Sequence, residues 1–316
     1  MIRRVARSSA LALCALLAVA CEQTVRLGDG RAGDADTGAD AAVDSGVDAH
    51  APAVDAGHVP TGFSEPKVIV ALSTDSSVDD DPSLTNDLAL VYFDSKRDGG
   101  KGKEDIWSAD RADPSADWNA PVAVDALNTA DRETGIALSA DGLRIWFSSD
   151  RPDSKGGLDV FTAERASRTD DWGAVTRVAE LSTDDDDLVS AVNDAETICL
   201  LGRRPQGTDD YDMYMAERAS DGDSWSSPKA ISELDTKANE SDAFLLGDGR
   251  DLLFTRSKDL QVARRPSATA PFTLVGPLAE LNSSDDDRDP WATADLGYVV
   301  FSSNRSGSYE LYESSR

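Results

Sequence analysis

One register of residues repeats five times along the chain, and this repetition limits the possible folds more than any other feature. An aromatic residue opens each unit, at Phe63, Trp118, Trp172, Trp225 and Phe272, at intervals of 55, 54, 53 and 47 residues. An apolar stretch follows and ends in Leu plus two small polar residues: Leu72-Ser73-Thr74, Leu127-Asn128-Thr129, Leu181-Ser182-Thr183, Leu234-Asp235-Thr236 and Leu281-Asn282-Ser283. Five to seven residues beyond that Leu stands a carboxylate: Asp79, Glu133, Asp186, Glu240 and Asp287. Eight residues later comes an Asp in every unit: Asp87, Asp141, Asp194, Asp248 and Asp295. A large apolar residue (Phe93, Phe147, Leu200, Phe254, Phe301) and then a cation (Arg97, Arg151, Arg204, Lys258, Arg305) follow at fixed spacing. Each unit closes on an acid (Asp105, Asp159, Asp212, Asp259, Glu310) and an arginine (Arg111, Arg165, Arg218, Arg265, Arg316).

Between these markers the segments are short, alternate apolar with polar residues, and are bounded by Asp, Gly and Ser. That is strand chemistry with hairpin turns. A unit of about 50 residues with room for four strands is one propeller blade. The expected fold is therefore all-β: a five-bladed β-propeller of four-stranded antiparallel blades over residues 63–316. The phase of the repeat implies how the ring closes. The aromatic-led stretch is read as the outermost strand of the preceding blade, so Phe63–Ala71 should pair with the C-terminal blade and leave few exposed edges. The Gly/Lys loop between Asp98 and Glu104 reads as a rim loop whose deletion should barely alter stability.

The pattern Trp-x-x-Pro, Leu-Asn-Thr, acid, Ser-x-Asp-Gly, Phe-x-Ser-x-Arg and Asp-Val is best seen in the second unit. There it is Trp118-Asn-Ala-Pro121, Leu127-Asn-Thr129, Glu133, Ser139-Ala-Asp-Gly142, Phe147-Ser-Ser-Asp-Arg151 and Asp159-Val160. It resembles the WD40-like repeat of TolB-type propellers. The resemblance covers residues 63–316 and implies a fold and a protein-binding role. It departs from TolB in having five repeats rather than six and no segment able to form an N-terminal α/β domain.

Residues 1–20 read as an export signal. Arg3, Arg4 and Arg7 precede an apolar run from Ala10 to Val19, too short to span a bilayer, which needs about 20 apolar residues. The stretch Leu17-Ala18-Val19-Ala20-Cys21 resembles a bacterial lipobox, which implies cleavage before Cys21 and lipidation of that residue. Glu22 rather than Asp follows, which points to the outer membrane, with the protein facing the periplasm or the exterior. Residues 21–62, the anchored Cys and an Asp/Ala/Gly-rich stretch, lack any aromatic and read as a disordered tether.

The formal net charge of −28 argues against nucleic acid and against basic-patch docking on membranes. No histidine lies in residues 63–316, which removes a Ser-His-Asp hydrolase and a His-ligated metal centre from consideration. Cys199, in an apolar stretch, is expected to be a core residue. The candidate binding residues are the acids expected around one channel mouth: Asp79, Asp81, Glu133, Asp186, Asp187, Glu240, Asp242, Asp287 and Asp289, with Trp291 as a stacking platform. No catalytic residue and no organic cofactor is expected; a divalent cation such as calcium would suit such a rim. The cation series at Arg97 is expected to pair with the closing acids at Asp105. The functional expectation is a monomeric, non-enzymatic module that binds an envelope protein or peptide. The alternative is a carbohydrate-binding or carboxylate-dependent glycoside hydrolase-like propeller.

Overall fold

The computed structural model describes residues 57–74 and 76–316. The leader, Cys21 and the tether up to residue 56 lie outside them. Among the described residues, twenty strands form five antiparallel four-stranded sheets. Blade I holds β2 (Asp79–Leu84), β3 (Leu90–Ser95), β4 (Asp105–Asp110) and β5 (Val122–Ala123). Blade II holds β6 (Glu133–Leu138), β7 (Arg144–Ser149), β8 (Asp159–Glu164) and β9 (Thr176–Arg177). Blade III holds β10 (Asp186–Val192), β11 (Ile198–Arg204), β12 (Asp212–Glu217) and β13 (Lys229–Ala230). Blade IV holds β14 (Glu240–Leu245), β15 (Asp251–Arg256), β16 (Asp259–Arg264) and β17 (Thr273–Pro277). Blade V holds β18 (Asp287–Ala292), β19 (Tyr298–Ser303) and β20 (Glu310–Ser315), and is completed by β1 (Lys67–Val68).

The ring closes as the repeat phase predicts: Lys67 pairs with Glu313 and Val68 with Tyr312. Residues before the first aromatic also pack on the propeller. Val59 packs on the blade IV–V core, and the backbone N–H groups of Gly62 and Phe63 donate to Glu280 Oε2 at 2.7 and 2.8 Å.

Five apolar layers fill the gaps between neighbouring blades, for example Tyr92, Ile106, Ile136 and Phe147 between blades I and II. Both faces of a middle strand are covered, so Leu90–Ser95 is buried almost throughout rather than alternating. Burying a Phe such as Phe93 or Phe147 stabilises by about 1.5–3 kcal/mol. Cys199 is fully buried in one such layer, which pushes its thiol up to about 12.

Each repeat signature is a contact between units. The closing arginine stacks on the aromatic that opens the next unit: Arg111 on Trp118 (4.1 Å), Arg165 on Trp172 (4.4 Å), Arg218 on Trp225 (4.4 Å), Arg265 on Phe272 (4.5 Å) and, across the closure, Arg316 on Phe63 (5.5 Å). The Nε of Arg111, Arg165, Arg218 and Arg265 donates to the carbonyl of the left-handed residue in its own blade's first hairpin: Leu88, Gly142, Glu196 and Gly249. Glycine suits that position, at φ 74° in Gly142 and 71° in Gly249.

Two sequence expectations need correction. The Arg97 series pairs with the first acids, not with the Asp105 series. Arg97 meets Asp79, Arg151 meets Glu133 and Arg305 meets Asp287, while in blades III and IV the partners are Arg203 with Asp187 and Arg256 with Glu240. The Asp105 carboxylate is taken instead by the backbone N–H groups of Lys101 and Gly102. This also removes the idea of a dispensable loop. Residues 101–104 are tied to Asp105, to the Asp131 carbonyl through Lys103 N–H, and to Arg132 through Glu104.

Candidate functional site

Five of the predicted site residues, Asp79, Glu133, Asp187, Glu240 and Asp287, are clasps within the scaffold. Asp79, Glu133, Glu240 and Asp287 are fully buried. Each accepts from the backbone and hydroxyl of the Thr or Ser that ends the preceding linker and from its arginine: Thr129 N at 2.9 Å and Arg151 Nη2 at 3.0 Å in Glu133. In blade III this role falls to Asp187, which accepts Thr183 N at 2.6 Å and Arg203 Nε at 2.7 Å. Asp186 lies one residue off the clasp register and pairs with Arg204 at the rim. None of the five clasp acids lines either channel cavity. Trp291 lines the same cavity as Asp81, Asp242 and Asp289 but is largely buried: it packs on Phe244 with centroids 6.0 Å apart and belongs to the blade V–I core.

The structure does bring together Asp81, Asp242 and Asp289. Each follows its clasp acid by two residues on the innermost strand, where the ladder slips out of register. A bulge turns a side chain away from the alternation of a regular strand. Here all three residues are left-handed, with φ of 51°, 54° and 54°. In blade II the same place is Gly135, φ 58°. Pro82 and Pro290 directly follow two of these acids, at positions where the bulge removes a ladder hydrogen bond.

The three carboxylates come from consecutive blades IV, V and I, and one oxygen from each lies within 4.8 Å of the others. They occupy a waist, since all three line both axial cavities. One cavity, about 280 Å³, extends toward Asn86, Asp194 and Asp248; the other, about 220 Å³, opens between Arg132, Arg204, Lys258 and Arg288. Each of those four cations has an acid of its own: Glu104, Asp186, Asp286 and Asp80. The cations of that rim are therefore paired, and Asp81, Asp242 and Asp289 lie deeper, with Arg288 Nε also 3.3 Å from Asp289 Oδ2.

Asp81 Oδ2 accepts Gly135 N at 2.8 Å and Thr134 Oγ1 at 3.0 Å. Asp242 Oδ2 accepts Ser241 Oγ at 2.8 Å. Burial, and then the charge of Asp289, pushes both carboxyls well above the usual carboxylate range. Asp94, behind Asp81 on β3, is likewise raised, by burial and then by Glu104 and Asp81. Asp94, Thr255 and Ser302 escaped the sequence reading. They are second-strand residues at one blade position, facing Asp80, Ser241 and Arg288, and the signal for them is the polar residue directly after Phe93, Phe254 and Phe301.

No family model matches the chain, and no curated protein matches it in sequence. Solved structures do match in fold. The endo-arabinase from Bacteroides thetaiotaomicron is 13% identical with a TM-score of 0.50, covering 81% of this chain and 98% of that one. Zg3597, a family 117 glycoside hydrolase from Zobellia galactanivorans, is 11% identical with a TM-score of 0.50, covering 80% and 89%. TolB from Acinetobacter baumannii is 14% identical with a TM-score of 0.43, covering 77% of this chain and 55% of that one. The chain thus spans about half the length of that TolB. At these identities the likeness is one of propeller fold.

Proposed function

We propose that this chain is a non-catalytic, lipid-anchored protein of the cell envelope, whose propeller binds a cationic segment of an envelope protein through its channel. The lipobox-like Leu17–Cys21 stretch and the tether support the anchoring, with the outer membrane as the site. The observation that carries the binding reading is the convergence of three carboxylates at the channel waist, where Arg288 is the one cation among the described residues paired with them. Like charges so close and so buried disfavour one another's ionisation, and a cation entering the channel relieves that. The chain's net charge of −28 would speed the encounter with a basic partner.

Glycoside hydrolysis is the second reading, favoured because three acids face one axial space. The geometry tells against it. With oxygens within 4.8 Å of one another, the three acids fall short of the carboxyl separation of about 6.5–9.5 Å that inversion needs for its water. The mouth aromatics Tyr211 and Tyr309 are covered by Arg204 and Arg288, at 5.0 and 3.8 Å from the ring centroids.

An envelope cross-linking pull-down comparing the native chain with an Asp81→Asn, Asp242→Asn, Asp289→Asn variant tests the proposal. A partner captured by the native chain and lost with the variant supports docking in the channel. A partner captured equally by both, or none by either, refutes it. Hydrolysis of oligosaccharides by the native chain alone would establish the second reading.

A further inference from the structure

We propose that Asp81, Asp242 and Asp289 bind a divalent cation of the calcium type at the waist of the channel. This site stands whether or not the mouth receives a protein.

Three observations carry the assignment. The first is the fit of the donor set. The ligand atoms offered are carboxylate oxygens, all within 4.8 Å of one another. Carboxylates converging from three blades, with cavities on either side that have room for water, suit a hard cation that takes oxygen ligands at about 2.3–2.6 Å, as calcium does. Zinc and copper prefer nitrogen and sulfur, and the propeller has no histidine and only a fully buried Cys199.

The second observation is unmet polarity. Asp289 has a side chain only 8% exposed, and its Oδ2 accepts no hydrogen bond. Arg288 Nε lies 3.3 Å away, but its single hydrogen is donated to Asp80 Oδ1. Thr255, 2% exposed, lines the same cavity, and its Oγ1 has no partner among the described residues. Buried polar atoms are mostly partnered, and two unpartnered oxygens lining one cavity are placed to meet a ligand or an ordered water there.

The third is where the unmet atoms fall around the ring. Asp94, Thr255 and Ser302 hold the same second-strand position in blades I, IV and V, and all have unpartnered atoms. In blade II that position is Ser148, whose Oγ is satisfied by the Asp187 carbonyl at 2.9 Å and Val189 N at 2.8 Å. In blade III it is Gly202. The unmet atoms thus coincide with the blades that supply the three acids. Calcium takes six to eight oxygen ligands, so water in the two cavities would complete the shell, with the Thr255 hydroxyl placed to hold one such water. The ion would tie the inner strands of blades IV, V and I, and blade V is the one assembled from both ends of the propeller.

The test uses the full-length chain in detergent micelles, stripped with chelator. Terbium is titrated in while excitation at the indole of Trp291, two residues from Asp289, is read as sensitised terbium emission; calcium is then added as competitor. The expected result is saturable emission displaced by calcium, at least about 100-fold weaker binding in Asp289→Asn, and no change in Asp171→Asn, an exposed acid elsewhere. Calcium should also raise the melting temperature of the native chain and not that of Asp289→Asn. Unsaturable emission, or equal affinity in Asp289→Asn, which would place the ion in the Asp-rich tether, overturns the proposal. Circular dichroism checks the fold. Should Asp289→Asn not fold, Asp242→Asn, whose carboxylate accepts only Ser241 Oγ in the structure, is judged by the same criterion.

Discussion

The middle residue of each Leu-x-Thr/Ser linker reaches back to the third strand of the preceding blade, and one of the five is the wrong residue for it. Asn128 accepts Ile106 N at 2.8 Å and donates to Ile106 O at 2.9 Å. Asn282 does the same with Leu260, at 2.8 and 3.1 Å. In the fourth unit the position is Asp235, with Met213 on the equivalent strand. A carboxylate cannot donate to that carbonyl, and Asp235 Oδ1 is buried without a partner. Burial, then Asp212, Glu240 and Glu233, raise its carboxyl to about 6. A raised acid contributes its stability below the unfolded value near 3.9 and loses it as pH climbs through about 6, so the native protein carries the full cost above that pH. Asp235→Asn should therefore stabilise at pH 7.5 and much less at pH 4, where the protonated acid can itself donate to the Met213 carbonyl. A rise from 3.8 to about 6 converts to roughly 3 kcal/mol, but the side chain is only partly buried, and solvent screening reduces this to about 1 kcal/mol. The restored hydrogen bond adds about 1 kcal/mol. A gain of about 1–2 kcal/mol raises the melting temperature by about 3–6 °C in a domain of this size. Urea denaturation and calorimetry at both pH values measure it. No gain at pH 7.5, or an equal gain at pH 4, would refute the reasoning.

Glu133→Gln should cost about 3–5 kcal/mol in chemical denaturation, because it leaves the buried Arg151 guanidinium without its counter-charge. Deleting residues 99–103 should lower the melting temperature by several degrees, since it strips the Asp105 carboxylate of the Lys101 and Gly102 donors. Phe63→Ala should cost about 3 kcal/mol and expose the closing strand to limited proteolysis, with cleavage first near β1. Calcium or terbium affinity should fall as pH drops from 7.5 to 5.5: Asp81 and Asp242 hold protons more tightly than ordinary carboxylates, and those protons compete with the ion.

The blade count and the closure by the N-terminal strand were legible, because both depend on spacing between residues that repeat, although the closing strand is Lys67–Val68 rather than the whole of Phe63–Ala71. Which acid meets which cation was not. Ser95 faces Asp79 on one side and Asp105 on the other, so either acid was within plausible reach of Arg97. Hydrogen bonds from the Lys101–Gly102 turn decide it by occupying Asp105. In the third unit the run Asp184-Asp185-Asp186-Asp187 makes counting ambiguous by one residue. The Thr183 donors select Asp187, and the partner becomes Arg203 rather than Arg204. In the fourth, the tight Ser257-Lys258 turn, with Ser257 at φ 60°, moves the cation to Arg256. Asp81, Asp242 and Asp289 were named as rim acids, but their place at the waist depends on backbone bulges that no spacing reveals.

Those bulges also separate the scaffold from the site. In a regular strand, residues two apart point the same way, so an acid two beyond a clasp would be buried beside it. A left-handed residue there breaks the alternation and sends the second carboxylate into the channel, at a cost of about 1–2 kcal/mol for a residue other than glycine. The ring does not require this. Blade III carries Val189 two residues after its clasp acid, outside the left-handed region, and packs like the others. Three adjacent blades nonetheless hold strained aspartates whose charges repel one another, two of them braced by a following proline. Packing gives no reason for this arrangement, whereas a positive group held between the three carboxylates offsets both the strain and the repulsion.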